Sequence, residues 1–395
     1  SSDLMHRTNR SSRPWKRRGG PGCRKLPLPP KRPPLQANKQ PATLRAALPN
    51  RPPPPPAFSG QRSPWQRRGL GMRLLWPLSQ LYRALQAWHA RRQRPIHAGV
   101  PVIVVGNVIA GGAGKTPVTQ AVVTYLQQHG WQPGIVSRGY GRRTTDCRQA
   151  LPDSPAHEVG DEPALLARTT GAPVFVARQR IEAVQALRAH YPATNIIVSD
   201  DGLQHLALAR DIELCVFNED GIGNGWLLPA GPLREPWPRP VTATLYAGQP
   251  PQPMGSAPAF ALQRRLATTA YNGLGEHIDL LTLAQQPVEA VAAIARPAAF
   301  FAMLQAQGIP LAATQSLPDH ADFAHFSRQC GHDTPLLCTE KDARKLWCHH
   351  PKAWAVPLQL QLPADFWDLL ARELAKLQPT NIPPEHVNAT TIGPF

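Results

Sequence analysis

Residues 102–120 read VIVVGNVIAGGAGKTPVTQ, an apolar run that leads into glycines and then into a segment of helical spacing. A buried strand followed by a glycine-rich turn and a helix is the usual frame of a phosphate-binding loop. Its free backbone N–H groups and the helix N-terminus attract anions. The Walker A pattern GxxxxGK[ST] ending at Thr116 requires glycine at position 109, where this chain has Ile109.

The groups that phosphate chemistry needs are present despite that departure. Lys115 provides an ammonium that can reach the phosphates, and the hydroxyl of Thr116 is a typical ligand of Mg²⁺. An ordinary glycine-rich turn with an incidental lysine is the alternative, but the strand before the loop and the helix after it disfavour that interpretation. The stretch therefore predicts a nucleotide site that comprises Gly111, Gly112, Ala113, Gly114, Lys115, Thr116 and Pro117.

Two adjacent carboxylates follow another apolar run, in NIIVSDDGLQH at residues 195–205. In an open parallel sheet the carboxyl ends of the strands face the ligand crevice. Asp200 or Asp201 is then a natural ligand of Mg²⁺, as in the Walker B motif. An Asp-Gly turn with a helix-capping aspartate is the structural alternative. The nearby phosphate loop favours the metal site, and the choice between the two carboxylates stays open.

Short apolar runs alternate with helical stretches along most of the chain. This alternation predicts an α/β fold with a P-loop NTPase-like, mostly parallel sheet, a second, smaller α/β domain and an N-terminal amphipathic helix. The predicted strands are 101–105, 134–137, 173–177, 195–199, 212–217, 288–294 and 335–339, and the predicted helices are 116–128, 162–168, 180–191 and 297–307.

The proline-rich stretch AGQPPQPMGSAPAF at residues 247–260 marks a domain boundary. We predict four segments. These are an extension at 1–71, an amphipathic helix at 72–98, a P-loop domain at 99–246, and a smaller α/β domain at 247–395.

The formal charge of +17 suggests nucleic acid as a partner, but the distribution of the charge opposes it. Sixteen of the 43 Lys and Arg residues and only one of the 26 acids lie in residues 1–71, so the remainder is nearly neutral. We therefore predict no nucleic-acid binding. The extension is rich in proline and arginine and poor in apolar residues, which predicts disorder. A non-native or upstream-translated segment is favoured over a functional basic arm.

The segment from Met72 to Arg94 has apolar residues at helical spacing, with arginines outside that stripe. Its stripe consists of Leu78, Leu81, Tyr82, Leu85 and Trp88. An amphipathic helix of this kind either packs on its own domain or lies on anionic lipid. Composition alone slightly favours packing on the domain.

Several motifs in this order resemble tetraacyldisaccharide 4'-kinase of lipid A biosynthesis over about residues 72–350. Those motifs are VGNVIAGGAGKTP, SRGYGR, GDEP, SDDGLQH, GNGWLLPAGPLREP, RPAAFFAML, PDH and TEKDARKL. The segment PAGPLREP after DDGLQH is specific to the family, and the family also lacks the glycine at position 109. One departure is Ala321 after His320, where the family often has a second histidine.

The resemblance implies transfer of the γ-phosphate of ATP, with Mg²⁺, to the 4'-hydroxyl of a tetraacylated glucosamine disaccharide 1-phosphate. The product is lipid IVA, made at the cytoplasmic face of the bacterial inner membrane. A lipid acceptor requires docking at that membrane surface, so the helix at 77–92 is now expected to be interfacial. We expect a peripheral enzyme that is a monomer. The resemblance also implies that 99–246 is the P-loop kinase domain and that 247–395 completes the active-site cleft.

The resemblance also assigns residues. By position in GDEP and PDH, Asp161 matches the catalytic aspartate and His320 its partner. Taken alone, Asp161 is equally good as a helix cap and His320 as a surface histidine. Further candidates for contacts with phosphate or substrate are Arg138, Gln204 and Arg234.

A P-loop regulatory or assembly ATPase is the competing class, since such proteins share the Gly-Gly-x-Gly-Lys-Thr segment. They usually have a second lysine before the paired glycines, where this chain has Ala110. Binding of an acyl-disaccharide phosphate separates the two classes.

Overall fold

The computed structural model describes residues 64–377, so predictions on 1–63 and 378–395 lie outside the described residues. Its large sheet contains eight strands. They are β1 (Val102–Gly106), β2 (Pro133–Ser137), β3 (Arg148–Ala150), β4 (Val174–Val176), β5 (Ile196–Asp200), β6 (Ile212–Phe217), β7 (Ala243–Tyr246) and β8 (Ala259–Ala261). Their order is β3-β4-β2-β5-β1-β6-β7-β8. Every pairing is parallel except that of β3 with β4.

Both faces of the large sheet are covered, which explains why its strands are continuously apolar. Along β1, Ile103 and Val105 pack into one core, whereas Val102 and Val104 pack into the other. The helices before and between these strands are α1 (Leu70–Arg92), α2 (Lys115–Gln128), α3 (Ala156–Val159), α4 (Asp161–Thr170) and α5 (Arg180–His190), and a 3₁₀ turn at Pro64–Gln66 precedes them. Helices α2 and α4 contribute to the first core and α5 to the second.

After β8 the chain builds a second, six-stranded sheet and then returns. The elements are β9 (Gln263–Leu266), β10 (Thr269–Tyr271), β11 (His277–Asp279), α6 (Leu280–Leu283), β12 (Val288–Ala292), α7 (Pro297–Ala306), β13 (Leu311–Ser316), β14 (Leu336–Thr339), α8 (Glu340–Trp347), β15 (Trp354–Val356), β16 (Leu358–Gln361) and α9 (Ala364–Ala375). The small sheet has the order β11-β10-β15-β14-β12-β13, and β16 pairs with β9 as a separate antiparallel ribbon.

We call the large sheet with α1–α5 and α9 the first lobe, and the small sheet with α6–α8 the second lobe. Helix α9 belongs to the first lobe because Phe366, Leu370 and Leu374 are buried in the core that α2 and α4 share. In the described chain, both crossings between the lobes therefore run through the ribbon. Leu360 of the ribbon packs on the first-lobe core and Leu358 on the second-lobe core.

The predicted fold class is confirmed, because two mostly parallel sheets are layered with helices and preceded by a helix. The domain bounds stay a prediction, to which the structure adds three facts. Helix α1 starts at Leu70, so the predicted boundary after residue 71 falls inside it. Strand β8, beyond the boundary at 246, still extends the large sheet. The C-terminal helix α9 returns to the first lobe.

Candidate active site

The glycine-rich loop joins β1 to α2 at the carboxyl edge of the large sheet. Gly111 and Gly114 have φ values of 101° and 78°, which only glycine adopts without strain. Gly114 is the residue that precedes the first turn of α2, so Lys115 and Thr116 open that helix. The loop therefore offers a helix N-terminus and exposed backbone to an anion.

Ile109 explains how the loop works without the first Walker glycine. Its side chain is buried in the second core, and its backbone forms a bridge with Leu233. The next N–H group, that of Ala110, donates to the Pro232 carbonyl at 2.7 Å. Position 109 is thus held by the segment around PAGPLREP and needs an apolar side chain, while the left-handed backbone positions fall on Gly111 and Gly114.

Asp201 lies at the centre of a charged cluster beside the loop. It has a φ of 48°, in the left-handed region. Its Oδ1 atom lies 3.6 Å from Lys115 Nζ and 3.0 Å from Arg234 Nη2. Gln204 joins the cluster, accepting from Arg234 and donating to the Asn107 carbonyl at 2.8 Å. Three predicted residues, Asp201, Gln204 and Arg234, therefore meet next to the predicted phosphate lysine.

Asp200 occupies the buried end of β5, directly opposite Val105 of β1. Its Oδ1 accepts from the Thr119 hydroxyl at 2.9 Å, whereas Oδ2 has no hydrogen-bond partner among the described residues. Burial, and then the negative charges of Glu162 and Asp201, raise the pKa of Asp200 to about 7. A buried carboxylate oxygen without a partner is the kind of group that a cation satisfies.

A cavity of about 220 Å³ lies against the loop between the two lobes. One wall is formed by residues 112–117, and the opposite wall by apolar side chains of the second lobe such as Phe300 and Met303. Outside the loop, five charged side chains also line it, those of Glu162, Arg264, Arg296, Glu340 and Lys341. An apolar floor beside a phosphate loop suits a flat base at one end and charged groups at the other.

The two predicted catalytic residues meet although 159 positions separate them. Asp161 is the first residue of α4 in the first lobe, and His320 follows β13 in the second. His320 Nδ1 lies 2.6 Å from Asp161 Oδ2, and the Asp161 side chain is only 6% exposed. His320 has a φ of 67° and donates its N–H to the Ala293 carbonyl. The contact brings one side chain from each lobe together.

Lys345 contacts both residues of this pair, although the sequence analysis does not single it out. Its Nζ donates to Asp161 Oδ2 at 2.7 Å and to the His320 carbonyl at 3.1 Å. The only sequence feature that marks Lys345 is its place in the motif TEKDARKL, and that motif alone does not indicate a role for the lysine. Asp342 of the same motif accepts from the Ala293 N–H and the Thr339 hydroxyl, and burial raises its pKa. The motif thus anchors the segment that presents His320.

A second cavity, of about 440 Å³, opens beside Asp161, His320 and Lys345. It adjoins the cavity at the loop, since Asp161 lines one and Glu162 lines the other. The same holds on α8, where Lys341 and Lys345 lie one turn apart and face different cavities. Asp161 therefore stands at the boundary between two binding spaces.

Arg138 lies apart from the Asp201 cluster. It lines a third space of about 300 Å³ together with Arg142 and Arg178. Tyr140 and Gly141 line both this space and the one beside Asp161, so the two are neighbours. The position suits a contact with an anionic substrate rather than with a nucleotide at the loop.

Helix α1 contacts the first lobe through Ser79 and Tyr82, and the Tyr82 ring packs against the second core. The buried Ser79 hydroxyl donates to the Leu227 carbonyl at 2.8 Å, and Tyr82 donates to the Arg234 carbonyl at 2.9 Å. Leu78, Leu81, Leu85 and Trp88 are instead between 52% and 57% exposed. Apart from Tyr82, the predicted stripe therefore does not serve the core of the described chain. No helix within residues 64–377 is long and apolar enough to cross a membrane.

The sequence matches a family model described as tetraacyldisaccharide-1-P 4'-kinase (LpxK) over residues 72–375. The chain belongs to the tetraacyldisaccharide-1-P 4'-kinase family. It is 62% identical over 331 residues to the tetraacyldisaccharide 4'-kinase of Delftia acidovorans, an alignment that covers 82% of this chain and 97% of the relative. The Acidovorax sp. enzyme of the same name is 58% identical over 336 residues, covering 84% and 98%.

Among solved structures, the chain is similar to the "apo" form of LpxK from Aquifex aeolicus in complex with ATP. The TM-score is 0.67 and the identity 25%, with 77% of this chain and 99% of that chain covered. The expected family is thereby confirmed, and the chain is a kinase that phosphorylates the 4' position in lipid A biosynthesis. The competing class of regulatory ATPase is excluded.

Proposed function

We propose that ATP binds at the 112–117 loop and that its γ-phosphate passes to the 4'-hydroxyl of the tetraacyldisaccharide 1-phosphate in the neighbouring cavity. The observation that carries this proposal is the position of Asp161 at the boundary between the two cavities. The similar LpxK from Aquifex aeolicus is in complex with ATP, which supports the choice of nucleotide. Lys115 then neutralises phosphate charge at short range.

Thr116, Asp200 and Asp201 are the residues proposed to hold Mg²⁺. The unpartnered buried Oδ2 of Asp200 supports this assignment, because it fits a hard cation that prefers oxygen ligands. Asp201 is already engaged by Lys115 and Arg234, so Asp200 is the better-placed direct ligand of the two. When bound, the ion supplies charge neutralisation on the β- and γ-phosphates.

Asp161 is proposed to accept the proton of the 4'-hydroxyl. The sugar oxygen forms the new bond to the γ-phosphorus as the bond to the β–γ bridging oxygen breaks, and ADP leaves. His320 and Lys345 both contact Oδ2 of Asp161, which fixes the carboxylate and leaves Oδ1 for the hydroxyl. General-base assistance of this kind typically contributes about 10²- to 10⁴-fold in rate.

The exposed stripe of α1 is proposed to dock the enzyme on the cytoplasmic face of the inner membrane, as a peripheral monomer. Support comes from the exposure of Leu78, Leu81, Leu85 and Trp88, together with the arginines at 91, 92 and 94. Leucine and tryptophan enter the boundary of the acyl chains, and each arginine near an anionic surface contributes about 1 kcal/mol. The acceptor carries four acyl chains and is reached at that surface.

Radiolabelled ATP incubated with the disaccharide 1-phosphate in detergent tests the proposal. We expect the label on the lipid product together with one ADP per product. ATP hydrolysis that leaves the lipid unlabelled would overturn the assignment of donor and acceptor sites. Omission of Mg²⁺ should abolish transfer, and full transfer with a chelator present would remove the metal from the scheme.

A further inference from the structure

Arg264 is a cation at the nucleotide cavity that the proposed mechanism does not use. It lies on β9 of the ribbon, where the chain crosses between the lobes. Its Nη2 donates to the Ala113 carbonyl at 2.9 Å, within the phosphate loop. A Cβ atom added to Gly114 would lie 2.5 Å from the same nitrogen. The guanidinium therefore rests directly against the loop.

The carboxylate paired with Arg264 is a weak competitor for it. Arg264 Nη1 lies 3.0 Å from Glu219 Oε1, and the Glu219 side chain is 44% exposed against 17% for Arg264. An ion pair with so exposed a partner contributes only about 0–1 kcal/mol. A phosphate oxygen in a cleft from which water is excluded binds a guanidinium more strongly, with two parallel hydrogen bonds available.

If the Arg264 side chain moves away from Glu219, that carboxylate still has a cationic partner. Arg296, at the start of α7, already contacts both Glu219 and Asp220. Within this cluster, one guanidinium can therefore leave while the other keeps both acids neutralised. The exchange has no desolvated charge to oppose it.

The loop lysine supplies only part of the positive charge that attracts a nucleotide to this cavity, which Arg264, Arg296 and Lys341 also line. A triphosphate with one divalent ion retains about two negative charges, and Lys115 supplies one positive charge while it also faces Asp201. Arg264 is a largely buried cation that reaches the loop from the ribbon. It fits the role that an arginine supplied in cis has in other phosphoryl transfer enzymes.

We propose that Arg264 is a ligand of the nucleotide phosphates, carried by the ribbon, that leaves Glu219 for the triphosphate. The proposal rests on the proposed function, since it assumes that ATP occupies the loop.

Calorimetric titration of ATP into Arg264→Gln and Arg265→Gln tests this. Arg265 is the next residue on the same strand, and its exposed side chain donates to Gln263, so it controls for loss of charge. We expect Arg264→Gln to weaken ATP binding about 10- to 100-fold, as for loss of a charge-assisted hydrogen bond. Arg265→Gln should change the affinity by less than about twofold, since an exposed charge contributes little. Equal affinities in the two variants would overturn the proposal.

Glu219→Gln is a second test, in which Arg264 itself is not substituted. Freed from its carboxylate, Arg264 should bind ATP more tightly, by about two- to fivefold given the weakness of exposed pairs. The same substitution in the Arg264→Gln background should change nothing. Weaker ATP binding in Glu219→Gln would contradict the exchange of partners. This test does not depend on whether Arg264→Gln folds. A Lys115→Ala variant that still binds ATP would instead refute the site of the proposed function itself.

Discussion

The proposed nucleotide side and the proposed acceptor side of the cleft are built in different ways. The loop, Lys115 and Thr116 belong to one contiguous strand–loop–helix unit, and the acid pair follows the adjacent strand of the same sheet. On the acceptor side, Asp161 contacts His320 and Lys345, which lie 159 and 184 positions away and belong to the other lobe. The phosphate loop and the acid pair can therefore form within one lobe, whereas the contacts of Asp161 with His320 and Lys345 exist only when both lobes meet.

The largest effect is expected at the nucleotide side. Lys115→Ala removes the ammonium that neutralises phosphate charge, so nucleotide binding and turnover should be lost together. Calorimetry with ATP and the radiolabel assay measure the two quantities. Lys352→Ala, at an exposed lysine of the second lobe, is the control and should behave as the parent. Near-normal ATP binding in Lys115→Ala would break the distinction between the two sides.

A smaller loss is expected at Lys345. Lys345→Met removes a charge-assisted hydrogen bond to Asp161, which contributes about 1.5–3 kcal/mol, so turnover should fall about 10- to 100-fold. The KM for ATP should change little, because Lys345 lines only the acceptor cavity among the two. Arg344→Met, one residue earlier on α8, is the matched control. Unchanged turnover in Lys345→Met would reduce that lysine to a surface ion pair.

The membrane side should respond more weakly still. Leu81→Glu with Leu85→Glu places carboxylates in the exposed stripe of α1, so sedimentation with anionic liposomes should weaken and the KM for the lipid acceptor should rise several-fold. The melting temperature should stay constant, because both leucines are more than half exposed. Ala87→Glu with Ala90→Glu adds the same charge outside the stripe and should have less effect. Loss of fold without loss of liposome binding would show that the stripe packs on protein.

The smallest effect concerns the N-terminal segment. Removal of residues 1–71 should leave kinase activity intact, because none of them lies in the proposed catalytic set. It should nevertheless lower the melting temperature relative to removal of residues 1–63. Arg68 donates to the Asn224 carbonyl at 3.0 Å, and Trp65 donates to the Pro229 carbonyl at 3.1 Å. Each kcal/mol lost should lower the melting temperature by roughly 2–4 °C. Identical melting curves would show that these contacts contribute nothing.

Predictability from the sequence follows the same division. Strands β1 and β5, helix α2 and the phosphate loop are predicted to within one or two residues, because local patterning and loop chemistry specify them. The sequence names Asp201 and Arg234 as separate candidates but does not predict their contact, since that contact depends on how the loop at 227–234 folds back. Asp161 and His320 are assigned by family resemblance, as a lone aspartate at a helix start has no distinguishing pattern.

Other features have no readable signal in the sequence. Lys345 looks like any lysine of an amphipathic helix until the lobes bring it to Asp161. Arg264 lies in a ribbon of two strands, which the sequence does not predict because each strand has only four residues. The direction of the α1 stripe is also undetermined, because the same spacing serves a core or a membrane surface. Long-range contacts decide all three.

The central claim is that Asp161 acts on the acceptor and not on the nucleotide. Asp161→Asn retains the shape of the side chain and removes its basicity, so single-turnover transfer of radiolabel should fall by about 10²- to 10⁴-fold. ATP affinity of the same protein, measured by calorimetry, should remain close to that of the parent, since Asp161 lines only the cavity on the acceptor side. Transfer at the parental rate, or a loss of transfer matched by an equal loss of ATP affinity, would contradict the account.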